Sequence, residues 1–233
     1  RPLRLSSVRV CSPIPHPEQD IICLGVNYAA HADESAQFDR KAFLLDRKKA
    51  TYFSKRAYQT SGPDDLIPSY PELVTSLDYE AELAVIIGRD CKNVCERDAA
   101  ACIFGYTVLN DVSARNLQTE HNQWYFGKSL DGFTPMGPCI VTEDEIPYPP
   151  ALSISSTVNG ELRQNSNTKY LLHSISEIIA ELSQGMTLKA GTIIATGTPA
   201  GVGMGMDPPQ FLKPGDTVRC EIDGIGALTN TVR

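Results

Sequence analysis

Leu77-Asp78-Tyr79-Glu80-Ala81-Glu82-Leu83-Ala84-Val85-Ile86-Ile87-Gly88 is the stretch on which the reading of this 233-residue chain turns. Its apolar second half, closed by Gly88, reads as a strand, so Leu77 to Gly88 is expected to be extended. Side chains alternate across a strand, which puts Asp78, Glu80 and Glu82 on one face and Tyr79, Ala81, Leu83 and Val85 on the other. Carboxylates sharing a face repel one another, and beside an apolar run they face partial burial, where unpaired charge is costly. Something positive should sit between them. A hard divalent ion with oxygen ligands is the simplest candidate, and Asp111, at the end of a strand over Tyr106 to Asn110, adds a further carboxylate. The plainer alternative is a solvated edge-strand face.

Outward from this strand, short extended and helical segments are interleaved. Asp20 to Val26 reads as a strand running into a loop or short helix over Tyr28 to Ser35, which places His31 and Glu34 beyond a strand end. Asp98 to Phe104 reads as a short helix, and Ser113 to Gln118 as a helix capped by Ser113. Ser153 to Val158 should turn at Asn159-Gly160 into Glu161 to Gln164, because Asn-Gly favours a type I′ hairpin. Apolar residues at 171, 172, 175, 178, 179 and 182 have the spacing of a helix with one buried face, ended by Gly185. Thr192 to Thr196, a Gly-rich loop, and Asp216 to Ile222 turning at Asp223-Gly224 into a last strand complete the chain. No repeat or long linker divides it, so one domain over residues 1–233 is expected, α+β and β-rich.

Composition narrows the partners. A net charge of −7 and a pI near 5.1 disfavour nucleic acid and anionic membranes. The seven cysteines form no C-x-x-C pair. Cys23, Cys102, Cys139 and Cys220 lie among apolar residues as buried thiols do, which suits a reducing, cytoplasmic location. The longest apolar runs fall far short of the ~20 residues of a membrane span. Arg1 to Arg9 lacks the apolar core of a signal peptide.

Five separated motifs, in order, resemble the fumarylacetoacetate hydrolase superfamily in its catalytic domain. They are GVNYAAHADE at Gly25 to Glu34, LDYEAELAVIIG at Leu77 to Gly88, GYTVLNDVSARNLQ at Gly105 to Gln118, GKSLDGFTPMGP at Gly127 to Pro138 and TGTPAGVG at Thr196 to Gly203. The resemblance implies a mixed β-sandwich or roll, a homodimer, and one Mg²⁺ or Mn²⁺ bound by Glu80, Glu82 and Asp111. It implies that His31 and Glu34 sit on a lid and activate water. A neutral imidazole held by a carboxylate can accept a proton, although a His three residues before a Glu is by itself an ordinary helix-surface pair. Lys128 matches an active-site lysine that stabilises an enolate oxygen; taken alone it reads as a surface residue of a Gly-rich loop.

The turn around Thr198 lacks G-K-[ST], which disfavours nucleotide binding. By resemblance its N–H groups and the Thr198 hydroxyl hold a substrate carboxylate. Tyr28, Arg115 and Gln118 fall where the family contacts substrate, with Arg115 equally open to a structural ion pair. Relatives carry an N-terminal extension, and the opening on Arg1 points to a longer protein. The basic, aromatic segment from Ala36 to Gln59 either shapes the substrate pocket or coats a surface.

The activity implied is hydrolytic cleavage of a C–C bond in a small acylpyruvate-like 2-oxo acid, through an enolate whose charge the ion shares. The alternatives are a 2-hydroxyhepta-2,4-diene-1,7-dioate-type isomerase or tautomerase and an oxaloacetate-type decarboxylase. A metal-binding module without catalysis is the reading from a different class.

Overall fold

The structure, a computed structural model, describes Arg4, residues 7–43 and residues 46–233. Most of the Arg1 to Arg9 opening and positions 44 and 45 of the 36–59 segment lie outside the described residues. In chain order the strands are β1 (Ile21–Gly25), β2 (Thr51–Lys55), β3 (Leu66–Ile67), β4 (Leu77–Asp78), β5 (Ala81–Ile87), β6 (Ile103–Asn110), β7 (Ser113–Ala114), β8 (Met136–Thr142), β9 (Ser153–Val158), β10 (Glu161–Asn167), β11 (Ile193–Ala195), β12 (Thr217–Ile222) and β13 (Gly226–Val232). The α-helices are α1 (Ala29–Phe38), α2 (Arg40–Phe43), α3 (Arg115–Glu120), α4 (Tyr125–Lys128) and α5 (Ile175–Gly185). No helix of the described residues is long and apolar enough to cross a membrane.

Two sheets form the α+β, strand-rich sandwich that the sequence leads one to expect. One runs β2-β1-β11-β5-β6-β8 and the other β10-β9-β12-β13-β3, while β4 and β7 make a separate short ribbon. All seven residues of β5 are buried, because it is paired on both edges, with β11 and with β6, and covered on both faces. Leu83, Val85 and Ile87 enter the main core with Ile154, Val218 and Leu228 of the facing sheet. Ala84 and Ile86 enter a second cluster with Ile21, Cys23 and Leu109. The Asn159-Gly160 turn has φ of 53° and 82°, as a type I′ hairpin between β9 and β10 requires. A bulge between Leu162 and Gln164 re-aims the Gln164 side chain into the interior.

Several local expectations are corrected. Leu77 to Gly88 is not one strand: the ladder stops at Asp78 and resumes at Ala81. Side chains take the backbone donors of the break, since Glu80 N–H donates to Asn110 Oδ1 at 3.0 Å and Ala81 N–H to Gln164 Oε1 at 3.0 Å. Ser113 is a strand residue whose hydroxyl donates to the Asp111 carbonyl, and α3 starts after it with Ala114 as N-cap. Residues 96–102 form a 3₁₀ helix, so Ile103 and Phe104 belong to β6. Leu171 and Leu172 precede α5, which begins after Ser174 in a capping box with Glu177. Gly185 is the last residue of α5 rather than a cap beyond it. Cys139 is exposed, whereas Cys23, Cys102 and Cys220 are buried.

The capping box is the one cap of α5 that the side chains make, with Ser174 Oγ accepting from Glu177 N–H at 3.2 Å. Ser174→Ala should cost about 1 kcal/mol, a fall of roughly 2–4 °C in Tm for a domain of this size. Calorimetric unfolding of the variant checks this; an unchanged Tm would show that α5 is held by its buried face alone.

Candidate active site

The four central strands end on the same side of the sandwich. The exits of β1, β6 and β11 and the entry of β5 there deliver Tyr28, Asp111, the 196–205 turn and Glu80 with Glu82. Glu80, Glu82 and Asp111 are buried and can each offer an oxygen within 4.8 Å of the others, so this cluster can hold a metal ion. Asp78 does not join them, because its carboxylate turns away to accept from the N–H groups of Gly203 and Met204.

Three cations face the cluster. Lys128 Nζ lies 2.8 Å from Glu80 Oε2 and 2.8 Å from Asp111 Oδ2. Lys55 Nζ lies 2.7 Å from Asp111 Oδ1, out of line for a hydrogen bond. Arg115 reaches Glu80 Oε1 at 2.6 Å and Asp78 Oδ2 at 2.8 Å. Burial raises the Glu80 carboxyl, but Lys128, Arg115 and His31 outweigh it and hold its pKa well below the usual carboxylate range. Burial lowers the Lys128 ammonium, but Asp111 and Glu80 together hold its pKa above the ordinary lysine value.

Glu82 differs from its neighbours. Its partner is the Gly197 N–H at 2.9 Å, and no cation pairs with it among the described residues. Burial, then the charges of Asp111 and Glu80, push its pKa well up. Four carboxylates against three cations leave this group one positive charge short. An uncompensated buried carboxylate in an all-oxygen donor set is what a hard divalent ion fits.

His31 and Glu34 lie on α1, as expected, and His31 is buried. Glu34 Oε2 is 3.0 Å from His31 Nδ1, and Glu34 Oε1 accepts from Gly201 N–H at 2.9 Å. The imidazole is thereby fixed through Nδ1, while Nε2 makes only a 3.3 Å contact with the Ser35 hydroxyl. His31, Glu80, Arg115, Gln118, Lys128 and Thr198 line one narrow cleft, walled by Phe53 and Trp124. Lys128 is buried, not a surface residue, with its ammonium 5.4 Å from the Phe53 ring centre.

Arg115 proves to be an ion-pair partner, yet its Nη2 has no partner among the described residues. Gln118 gives its carbonyl to Arg115 Nη1 at 3.0 Å. The Tyr28 hydroxyl is buried without a partner; burial, then Glu82, raise its pKa, so it stays a neutral donor. The Thr198 hydroxyl corrects its expectation. Its one proton goes to the Ala81 carbonyl at 2.9 Å and its oxygen accepts from Gln164 at 2.7 Å, so it orders the turn and has no proton left for a ligand.

The 36–59 segment divides between both readings, with Phe43 and Lys55 buried and Arg40, Lys41, Arg47, Lys48, Lys49 and Arg56 exposed. Lys55, Asn27 and Gln164 escaped the sequence reading of the site, and Asp78, read there as one of the facing carboxylates, holds Arg115 and the 203–204 turn instead. Lys55 was hidden by the basic run around it. Asn27 Nδ2 donates to the carbonyls of His173 and Thr196, and its motif position was the only signal.

The fumarylacetoacetate (FAA) hydrolase C-terminal family matches residues 20–233, and this chain belongs to that family. Oxaloacetate tautomerase YisK of Bacillus subtilis (strain 168) is 45% identical over 228 residues, 98% of this chain and 74% of that protein. Among solved structures, a fumarylacetoacetate hydrolase from psychrophilic Exiguobacterium antarcticum superposes with a TM-score of 0.87 at 44% identity, covering 100% of this chain and 80% of that one. A 5-carboxymethyl-2-hydroxymuconate delta-isomerase from Mycobacterium smegmatis gives 0.81 at 38% identity, covering 100% of this chain and 84% of that one.

Removing Lys55 leaves Asp111 with one cation where it had two. Lys55→Met should lower the unfolding free energy by about 3–5 kcal/mol, the usual cost of breaking a buried ion pair from one side. Urea denaturation measures it, and a loss under about 1 kcal/mol would show that the pair is solvated.

Proposed function

We propose that this chain is a divalent-metal-dependent tautomerase or isomerase of a small 2-oxo dicarboxylic acid, interconverting enol and keto forms as oxaloacetate does. The observation that carries the reading is the His31–Glu34 pair facing Lys128 and Arg115 in one buried cleft. A proton shuttle, a cation for oxygen charge and a carboxylate anchor are the parts that enol–keto transfer needs. The cleft is narrow and closed by aromatic rings, which favours moving a proton within a small acid over lodging a long acylpyruvate together with a water. The names of the tautomerase and isomerase relatives support the same choice, in place of the hydrolase first expected. C–C hydrolysis stays as the second reading because the Exiguobacterium relative is a fumarylacetoacetate hydrolase.

In this reading the unpaired Nη2 of Arg115 and the Tyr28 hydroxyl take the substrate's carboxylate and oxo oxygens. Glu34 keeps the His31 proton on Nδ1, leaving Nε2 to carry the transferred proton between the carbon beside the oxo group and the oxo oxygen. Lys128 offsets negative charge on the oxygen, and Phe53 and Trp124 exclude water. Glu80, Glu82 and Asp111 would hold Mg²⁺ or Mn²⁺, which would supply Lewis acidity when bound.

Loss of enol absorbance from oxaloacetate, with and without Mg²⁺, should run faster with protein than without, and pyruvate should not form at a matching rate. Pyruvate release from acylpyruvates at a comparable rate would move the assignment to hydrolysis. His31→Ala should slow ketonisation by roughly 10²–10⁴-fold.

Metal binding has its own readout. At a Mg²⁺ concentration 100 times its Kd the wild type should gain about 2.7 kcal/mol, seen as a rise in Tm. Glu82→Gln should abolish that rise, and a full rise in the variant would remove Glu82 from the site.

A further inference from the structure

Asp78 lies outside the cleft yet is fully buried at the junction of two groups that line it or act on it. Its Oδ1 accepts from Tyr79 N–H at 2.9 Å and Gly203 N–H at 2.7 Å. Its Oδ2 accepts from Met204 N–H at 3.0 Å and Arg115 Nε–H at 2.8 Å. All four partners are donors, so the position demands a group that only accepts.

On the far side of the same turn sits the acid–base pair. Gly201 N–H holds Glu34 Oε1, and a Cβ on Gly205 would fall 1.8 Å from that oxygen. Val202 and Met204 pack with Phe43 of α2, so residues 201–205 are the seat on which α1 and α2 rest. A Cβ on Gly203 would meet Asp78 Oδ1 at 2.7 Å and the Gln210 carbonyl at 2.3 Å, which leaves the seat one position against the carboxylate.

We propose that Asp78 is a positioning residue that sets two halves of the site at once, the Arg115 guanidinium directly and the His31–Glu34 pair through the 201–205 turn. The roles of those three residues rest on the function proposed above; the placement by Asp78 does not. Asp78→Asn is nearly isosteric, but its amide hydrogens must oppose two donors on one side or the other. The substitution therefore perturbs position with little change of volume.

The test has an arm that needs no substrate. In ¹H–¹⁵N spectra of the free protein, the Arg115 Nε–H signal and the His31 Nδ1–H signal, assigned with Arg115→Lys and His31→Ala, should both shift or broaden away in Asp78→Asn. Their persistence unchanged would overturn the proposal whatever the protein catalyses. In the kinetic arm, Asp78→Asn should raise KM and lower kcat by about tenfold or more each, since a misplacement of ~1 Å can cost roughly 100-fold. Mg²⁺ affinity by calorimetry should stay within threefold.

Gly203→Ala, whose added Cβ would crowd both the turn and the Asp78 carboxylate, should likewise raise KM and lower kcat, and it serves also if Asp78→Asn does not fold. A purely structural role would lower Tm in both variants and leave kcat and KM of the folded fraction unchanged, which would refute the proposal. If wild-type protein turns over no 2-oxo acid, the functional reading fails and the two resonances alone decide on Asp78.

Discussion

The shared ammonium of Lys128, bonded to both Glu80 and Asp111, is the contact around which the rest of the molecule is arranged. Glu80 reaches the interior just before β5 and Asp111 just after β6, and each cation comes from a different element: Lys55 from β2, Arg115 from α3 and Lys128 from α4. Burying so much charge is tolerable only with opposite charge close by, because a missing partner leaves a stranded ion, and among the described residues Glu82 is the carboxylate of this group that no cation meets. The ends of β5 and β6, the short β4–β7 ribbon and the two small helices after it are therefore constrained together. Packing of the apolar core stabilises the sandwich, while the charge pairing dictates how its open end is finished.

Much of this was legible in the amino-acid order. The position of Asp111 at a strand exit and the Asn159-Gly160 hairpin follow from local rules and the structure agrees with them, while of the Asp78, Glu80 and Glu82 alternation only the last two come together with Asp111, and of the spacing read over 171–182 only the part from 175 is helix. What local rules missed are tertiary substitutions for backbone bonding. Nothing near Asp78 announces that Asn110 and Gln164, 32 and 86 positions away in the numbering, will take the donors of Glu80 and Ala81 and break the strand. Lys55 illustrates a second limit. Within a run of basic residues, the one that turns inward is chosen by the strand's register against β1, which its immediate neighbours do not reveal.

On the function proposed above, the same constellation would serve several reactions of 2-oxo acids, because they share the need to gather negative charge on one oxygen. What separates them is the second reactant. A proton needs only His31 and room to move, whereas water needs a berth beside the substrate. The narrowness of the cleft and its aromatic wall thus bear on the outcome as much as the charged residues do. Trp124 shapes that wall through its contact with Phe53 at 5.4 Å and Phe43 at 5.3 Å, so the size of the cavity is set by side chains that take no part in proton transfer.

Strand β1 pairs in parallel with β11, and Glu34 is held by Gly201, 167 residues downstream. Contacts of such separation close large loops and slow folding. During synthesis the acidic segment leaves the ribosome well before the turn that will seat Glu34, so the site cannot be assembled progressively from the N-terminal side. A chain released before residue 205 would carry nearly all the charged groups of the site and still lack the support that holds the His31–Glu34 pair. Premature termination should therefore yield inactive fragments with unpaired interior charge, natural substrates for proteolytic quality control.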